Sequence, residues 1–491
     1  VEMLKGWKRR VAAAGAALSL VFAALTLAAL ICGLGVYVSQ RNRLTPPEER
    51  LLTKQHLAFM ASRWLARVGL KVAPEQLTGT KAATTEIVLL RKDGKSLDAL
   101  SSESRHVGGS DASQAVKEIV ESAVLSRTTD IHLEPKEGEL QVRFRIDGIL
   151  HSVPSYPAEL APPIISAIKV LSDMDIAERR KPQDGTFMGK LEGKAYDFRV
   201  ATSPSVHGET MVIRILDRDL GLIKLERLGL DEKRLEQLRR IINAPNGLLA
   251  VSGPTGSGKT TTLYASLMEI DAFQKNIMTI ENPIEYRLEN VTQTQINVKA
   301  GVTFAGQLRS MLRQDPDVIM VGEIRDLETA RTALQAAMTG HFVFTTIHAN
   351  DGVSTLFRLL DLGVEPYLVS SSLTAILAQR LVRTLCENCK EPYAPNPDFV
   401  KKVGLDPSRV KEFYKAVGCE SCQGTGYYGR IGIFELFEMN DVIRDLLRGQ
   451  PSIQLIKAEA RKAGLLTLQE DGLRKVLQGV TSIKELIRVT K

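Results

Sequence analysis

Aromatic side chains are scarce: 14 Phe, 10 Tyr and 2 Trp make up 5% of the 491 residues. No basic stripe carries aromatics between its charges, so the stacking platform that holds single-stranded nucleic acid is missing. Cysteine is scarce too, with five in the chain. Four fall into two CxxC pairs and the fifth, Cys32, sits in an apolar run. A secreted disulfide framework is therefore excluded, and a reducing compartment is expected. Low-complexity tracts and fixed-period repeats are absent. Neither sign of charge dominates: 64 Lys and Arg against 57 Asp and Glu leave a formal +7, which permits an acidic partner and demands none. The length is too great for one core, and roughly two to four domains are expected.

What is present centres on one stretch. The apolar run Leu248-Leu249-Ala250-Val251-Ser252 leads into Gly253-Pro254-Thr255-Gly256-Ser257-Gly258-Lys259-Thr260, the pattern G-x-x-x-x-G-K-[ST], and Thr261 to Met268 reads as a helix. Glycines let backbone N–H groups crowd round phosphates, and the helix N-terminus adds its positive dipole end. Lys259 reaches the β and γ phosphates, and the Thr260 hydroxyl suits Mg²⁺. Residues 253–261 are therefore the expected ATP-binding set.

Further along, Val318-Ile319-Met320-Val321-Gly322-Glu323 has the apolar strand and terminal acid of a Walker B element, with Glu323 placed for the water shell of Mg²⁺. Hydrolysis also needs a carboxylate on the attacking water. Glu281 and Glu285, in Thr279–Tyr286, are both candidates. His341 and His348 bracket an apolar strand, and His348 at its end can meet a γ-phosphate. Cys386, Cys389, Cys419 and Cys422 give two CxxC pairs separated by residues 390–418, a four-thiolate set suited to structural Zn²⁺, although the gap exceeds that of an ordinary zinc ribbon.

At the N-terminus, Lys5, Lys8, Arg9 and Arg10 precede an uncharged run from Val11 to Val38. As a helix this run is about 42 Å long, enough to cross a hydrocarbon core of about 30 Å. Residues 1–44 are thus expected to be a basic flank and membrane anchor; a signal peptide or an over-extended start is the alternative. The basic flank argues for an N-inside orientation, whereas Arg41, Arg43, Arg50 and Lys54 compete with it. Residues 45–110, polar with Pro46-Pro47, read as a linker or short docking segment. Residues 111–218 read as a small α+β domain with Asp111 as a helix N-cap, 219–226 as a linker, and 227–491 as the nucleotide domain. Strands at Ile277–Ile280, Val318–Val321 and Phe342–Thr346 alternate with helices there. Within it, 384–432 is the cysteine segment and 433–491 a helical tail.

Together these residues resemble the secretion ATPases of type II secretion systems and the assembly ATPases of type IV pili. The likeness runs from about Asp111 to Lys491 and includes Thr129–Pro135, Arg143–Gly148, Arg180–Gly185, the phosphate loop, an "aspartate box" at 279–286, Leu308–Asp317, a "histidine box" at 339–348 and the four cysteines. It implies an α/β fold: a RecA-like P-loop ATPase domain preceded by a small α+β domain. It also implies a homohexamer that drives an inner-membrane platform protein at the cytoplasmic face of a bacterial inner membrane, to assemble a pilus or pseudopilus. The family's arginines carry over to Arg199, Arg214, Arg309 and Arg313, and Glu285 becomes the preferred water activator, with Glu323 left to the metal. Retraction motors of the superfamily lack the cysteines, so assembly is favoured. Two departures stand out: Asn282 where the family commonly has Asp, and an apolar N-terminal run where members carry a soluble docking domain. The alternative is a RecA-like nucleic-acid or conjugation motor; no nucleic acid is expected.

Overall fold

The computed structural model describes residues 87–103, 109–217, 223–403, 405–408, 410–449 and 451–490. The apolar run at 11–38 lies outside these residues. Among the described residues no helix is long and apolar enough to cross a membrane.

The N-terminal lobe contains β1 (Val88–Leu90), α1 (Leu97–Glu103), α2 (Gly109–Leu125), β2 (Thr128–Pro135), β3 (Glu139–Ile146), β4 (Ile149–Ser152), β5 (Tyr156–Pro157), α3 (Ala161–Leu171), β6 (Gln183–Leu191), β7 (Lys194–Ser205) and β8 (Gly208–Asp217). They form an antiparallel sheet of order β1-β6-β7-β8-β2-β3-β4, with β5 against β3. Strands such as β3 alternate buried and half-buried positions, the pattern of a sheet with one face on a core.

Two expectations need correction here. The segment placed in a linker ending at 110 supplies β1 and α1, and Ile87, Leu89, Leu97 and Leu100 join the lobe's core. The cause is legible afterwards: Ile87–Leu90 is a β-rich run closed by a turn in which Arg91 N–H donates to Lys95 O at 2.9 Å. Asp111 lies in the first turn of α2 and not at its cap, because the helix starts at Gly109.

The C-terminal lobe begins with α4 (Glu232–Ile242), β9 (Gly247–Ser252), α5 (Lys259–Leu267), β10 (Ile277–Glu281), β11 (Thr292–Gln295), α6 (Phe304–Met311), β12 (Val318–Val321), α7 (Leu327–Met338) and β13 (Phe342–Ile347). It continues through α8 (Gly352–Asp361), α9 (Pro366–Ser372), β14 (Leu373–Leu385), β15 (Glu391–Tyr393), α10 (Pro397–Lys402), β16 (Phe413–Lys415), β17 (Tyr427–Glu438), α11 (Asp441–Arg448), α12 (Ile453–Lys462), α13 (Leu468–Leu477) and α14 (Ile483–Thr490). The main sheet has the order β11-β10-β12-β13-β9-β14-β17, parallel except for β14 against β17.

Both faces of this sheet are covered, and its strands show it. In β9, Leu248 and Ala250 enter one core while Leu249 and Val251 enter the other. Ile319 and Val321 against Val318 and Met320 repeat the division in β12. Period-two alternation between two apolar layers gives continuous hydrophobic runs, each fully buried Leu contributing about 1.5–3 kcal/mol. Helix starts are set by side-chain caps: Asp231 accepts from Arg234 N–H, Asp326 from Thr329 N–H, Asp351 from Ser354 N–H and Thr467 from Glu470 N–H.

The stretch expected to be a helical tail from 433 opens with strand, since β17 runs to Glu438. Its apolar, aromatic run Ile433–Phe437 pairs with β14, and tail helices begin at Asp441. The cysteine segment is therefore the loop of a long hairpin whose stems belong to the nucleotide sheet. Across the lobes, Asp147 in the β3–β4 turn accepts from Gly429 N–H at 3.0 Å, and the Arg127 guanidinium lies 3.6 Å above the Tyr428 ring.

Candidate functional site

The carboxyl ends of β9, β10, β12 and β13 open into a cleft of about 510 Å³ that also receives Arg199, Arg214 and Leu216 from the N-terminal lobe. This is where a parallel sheet exposes loop N–H groups and strand-end side chains to a ligand.

The phosphate loop connects β9 to α5. Gly253 has φ 153°, and a Cβ there would stand 2.6 Å from Gln379 O, so a side chain does not fit. Gly258, at φ 85°, ends the loop in a left-handed conformation that L side chains rarely adopt. No side chain caps α5, so its first N–H groups face the cleft. Lys259 Nζ donates to Gly253 O and Pro254 O, each at 3.0 Å, which folds the side chain over the loop. Burial pulls its ammonium below the ordinary lysine range, opposed by Glu323 and aided by Arg380. Thr255, Gly256, Thr260 and Thr261 line the same cleft, while Ser257 is buried beneath it.

Glu323, two residues beyond β12, pairs with Arg325 Nε at 2.7 Å and lies 3.9 Å from His348 Nε2. Burial, with Lys259 and Arg325 nearby, lowers the His348 pKa against the opposing pull of Glu323, so the imidazole is a neutral hydrogen-bonding group near pH 7. Thr346 Oγ1 donates to Gly322 O at 2.7 Å and fastens the ends of β12 and β13 together.

Glu281 and Glu285 separate clearly. Glu281 is 3% exposed and accepts from Thr279 Oγ1 at 2.6 Å, from Gln293 Nε2 at 3.1 Å and from the Tyr264 hydroxyl. Glu285, half-buried in the loop beyond β10, faces Arg199, whose Nη1 lies 2.8 Å from Oε2. Arg199 and Arg214 stand opposite each other on β7 and β8, and Arg214 Nε donates to Asp130 Oδ1 at 3.1 Å.

Arg309 and Arg313 do not line the cleft of this chain. Arg309, on α6, donates to Glu328 Oε1 at 2.5 Å, and Arg313 donates to Arg309 O at 2.9 Å. His341 is set aside as well, its Nδ1 2.9 Å from Ala336 O.

Two contributors carry no local sequence signal. Gln379, 1% exposed in the middle of β14, donates from Nε2 to Ser257 O at 2.7 Å and braces the phosphate loop from behind. Its partner is 122 residues away, so only the pairing of β14 with β9 brings them together. Tyr264, inside α5, is fully buried, and nothing in the residues around it marks its hydroxyl.

The four cysteines form a second site at the tip of the β14–β17 hairpin. Their sulfurs all lie within 4.8 Å of one another, with Cys386–Cys419 at 3.8 Å, Cys389–Cys422 at 3.8 Å and Cys419–Cys422 at 3.7 Å. A zinc ion about 2.3 Å from four tetrahedral sulfurs sets them about 3.8 Å apart, so the set fits that ion. Cys419 N–H and Gly426 N–H donate to Cys422 Sγ at 3.2 and 3.1 Å. Burial pushes the Cys422 thiol up, but these donors outweigh it and hold the pKa below the ordinary range.

Residues 108–488 match the family model for the type II/IV secretion system protein. The chain is 47% identical over 376 residues to the type II secretion system protein E of Pseudomonas aeruginosa, covering 77% of this chain and 75% of that one. It is 46% identical over 372 residues to the type II secretion system ATPase E of Vibrio cholerae, covering 75% and 73%. Its fold is similar to that of the Legionella pneumophila ATPase DotB, with a TM-score of 0.56 at 21% identity over 75% of this chain and 93% of that one. With a phosphate loop, an acid-ended β12 and a four-cysteine hairpin on one sheet, and a match spanning most of its length, the chain belongs to the type II/IV secretion system protein family and is an ATPase.

Proposed function

We propose that the chain is the Mg²⁺-dependent motor of a type II secretion system. In this reading it works as a homohexamer at the cytoplasmic face of a bacterial inner membrane and turns ATP hydrolysis into movement of an inner-membrane platform protein. The observation that carries the reading is the convergence of Lys259, Glu323, Glu285, Arg199 and Arg214 on one cleft between two lobes. A pilus-assembly role fits the same chemistry, and the names of the two secretion relatives favour secretion.

In this reading the triphosphate lies along the phosphate loop, with N–H groups of residues 256–260 on its oxygens and Lys259 turned from Gly253 O and Pro254 O toward the β and γ phosphates. Thr260 and Glu323 would hold Mg²⁺, which supplies charge neutralisation for in-line transfer. Glu285 orients the attacking water, His348 hydrogen-bonds a γ-oxygen, and Arg199 and Arg214 neutralise charge as the bond breaks. Because the arginines belong to the other lobe, the reaction is tied to the angle between lobes. Arg309 and Arg313, exposed on this chain, are assigned to the site of a neighbouring subunit. The cysteine hairpin holds one structural Zn²⁺, and residues 11–38 are assigned to membrane association.

Steady-state ATPase measurement tests the site: Lys259→Ala abolishes turnover with Mg²⁺ present. Light scattering with nucleotide tests the ring. A monomer under all conditions removes the hexamer from the proposal, and undiminished turnover in the variant removes the site assignment.

A further inference from the structure

Tyr264 is fully buried, five residues along α5 from Lys259. A buried phenol needs partners for its hydroxyl. Tyr264 has two, and both belong to the segment that carries the hydrolytic carboxylate. It donates to Glu281 Oε2, at the end of β10, and accepts from the Glu285 backbone N–H at 3.4 Å. Its ring also meets the Tyr286 ring edge-on, with centroids 6.1 Å apart and planes at 75°.

The far side of the same loop is held by glutamines of β11. Gln293 Nε2 bridges Glu281 Oε1 at 3.1 Å and Tyr286 O at 3.0 Å, while its Oε1 accepts from Leu288 N–H at 2.8 Å. Gln295 Oε1 accepts from Ile284 N–H at 3.3 Å. Glu281, satisfied from three sides, is thus the fixed post to which both the helix and the loop are tied.

We infer that the Tyr264 hydroxyl is a positioning group for ATP hydrolysis, setting Glu285 relative to the phosphate loop by bonding the Glu281 carboxylate and the Glu285 peptide nitrogen together. The inference rests on the reading of Glu285 as the group that orients water. Its physical content is that α5 carries Lys259 and Thr260 at one end and Tyr264 in the middle, so one rigid element references both the phosphates and the carboxylate. A misplacement of about 1 Å at such a group costs about a hundredfold in rate. Burial, and then the bond to Glu281, push the Tyr264 hydroxyl well above the ordinary phenol range, so it keeps its proton and remains a donor at working pH.

The test is a double-mutant cycle on the full chain, read as kcat and KM for ATP with Mg²⁺, together with the affinity for a non-hydrolysable ATP analogue. Tyr264→Phe keeps the ring and its packing and removes only the hydroxyl. The expected result is a fall in kcat of about ten- to a hundredfold with KM and analogue affinity unchanged. In a Glu285→Gln background the same change lowers the residual rate by less than about twofold, because the group being positioned has gone. An equal factor in both backgrounds, or full kcat for Tyr264→Phe beside an inactive Glu285→Gln, overturns the inference while leaving the role of Glu285 intact. Full turnover in Glu285→Gln alone removes that role, and the inference with it.

Discussion

Arg199 Nη1 lies 2.8 Å from Glu285 Oε2, and its Nη2 donates to Ile284 O at 2.9 Å, so one guanidinium from the antiparallel lobe grips the loop beyond β10 of the other lobe. The ion pair spans the cleft and is about a quarter exposed at both ends. Its stabilising value at that exposure is small, about 0–1 kcal/mol. What it supplies is alignment: β7 cannot swing without moving the loop that carries Glu285. A γ-phosphate offers the same guanidinium a second anion of bidentate geometry.

In the proposed reading, Arg199→Ala removes both the guanidinium that would face the transferring group and the bond across the lobes. Turnover is expected to fall about a thousandfold, the low end for an arginine supplied to a phosphoryl transfer. Arg199→Lys does not restore it, since an ammonium cannot make the paired contact to Glu285 and Ile284 O. Steady-state ATPase rates of the two variants check this. Near-normal turnover in the lysine variant would show that charge alone is needed.

Much of the nucleotide lobe is legible in the sequence because its information is local. Runs such as Leu248–Ser252 and Val318–Val321 are strands whose C-terminal ends open into the cleft, and the sheet sets β13 between them, parallel to both. The four cysteines are legible for the same reason. What was not legible depends on distant pairing. β1 belongs to the first sheet only through its register with β6, in which Leu89 lies opposite Gly189. Gln379 is a bland polar residue until β14 lies against β9. Tyr264 looks like core and is core, yet its one polar atom reaches the loop of the proposed water activator. Spacing leaves Glu281 and Glu285 equal, and the resemblance prefers Glu285; the difference in their burial and partners is visible only in the fold.

The cysteine hairpin makes a prediction about metal and acid together. Thiols must lose their protons to bind, so metal affinity falls as pH falls. One zinc per chain is expected after dialysis at pH 8, and Cys389→Ser is expected to lose it. Wild-type protein dialysed at about pH 5 gives up metal progressively, because only deprotonated thiolates hold it. Elemental analysis of the dialysed samples checks both expectations. A variant that keeps a full equivalent of zinc would show that the ion sits elsewhere.

Acid should also act on the last helix. Glu485, on α14, is 1% exposed and accepts from Arg383 Nη2 at 2.8 Å, from Arg383 N–H at 3.1 Å and from Arg488 Nε at 2.9 Å. Burial pushes its carboxyl up, but the bonds from Arg488 and Arg383 outweigh that and hold it at about 2, against an ordinary value of 4.5. A depressed folded-state pKa means that the unfolded chain takes up the proton first. The pair's contribution is therefore fully present above pH 4.5 and is lost as pH falls toward about 2. Glu485→Gln removes the charge and leaves Arg383, on the strand that leads into Cys386, without its buried partner. The cost expected from breaking such a pair is about 3–5 kcal/mol near neutral pH. Denaturant unfolding followed from pH 7 to pH 3 checks it: the gap between wild type and variant narrows toward acid. A gap that stays constant with pH would assign the loss to packing and not to the charge.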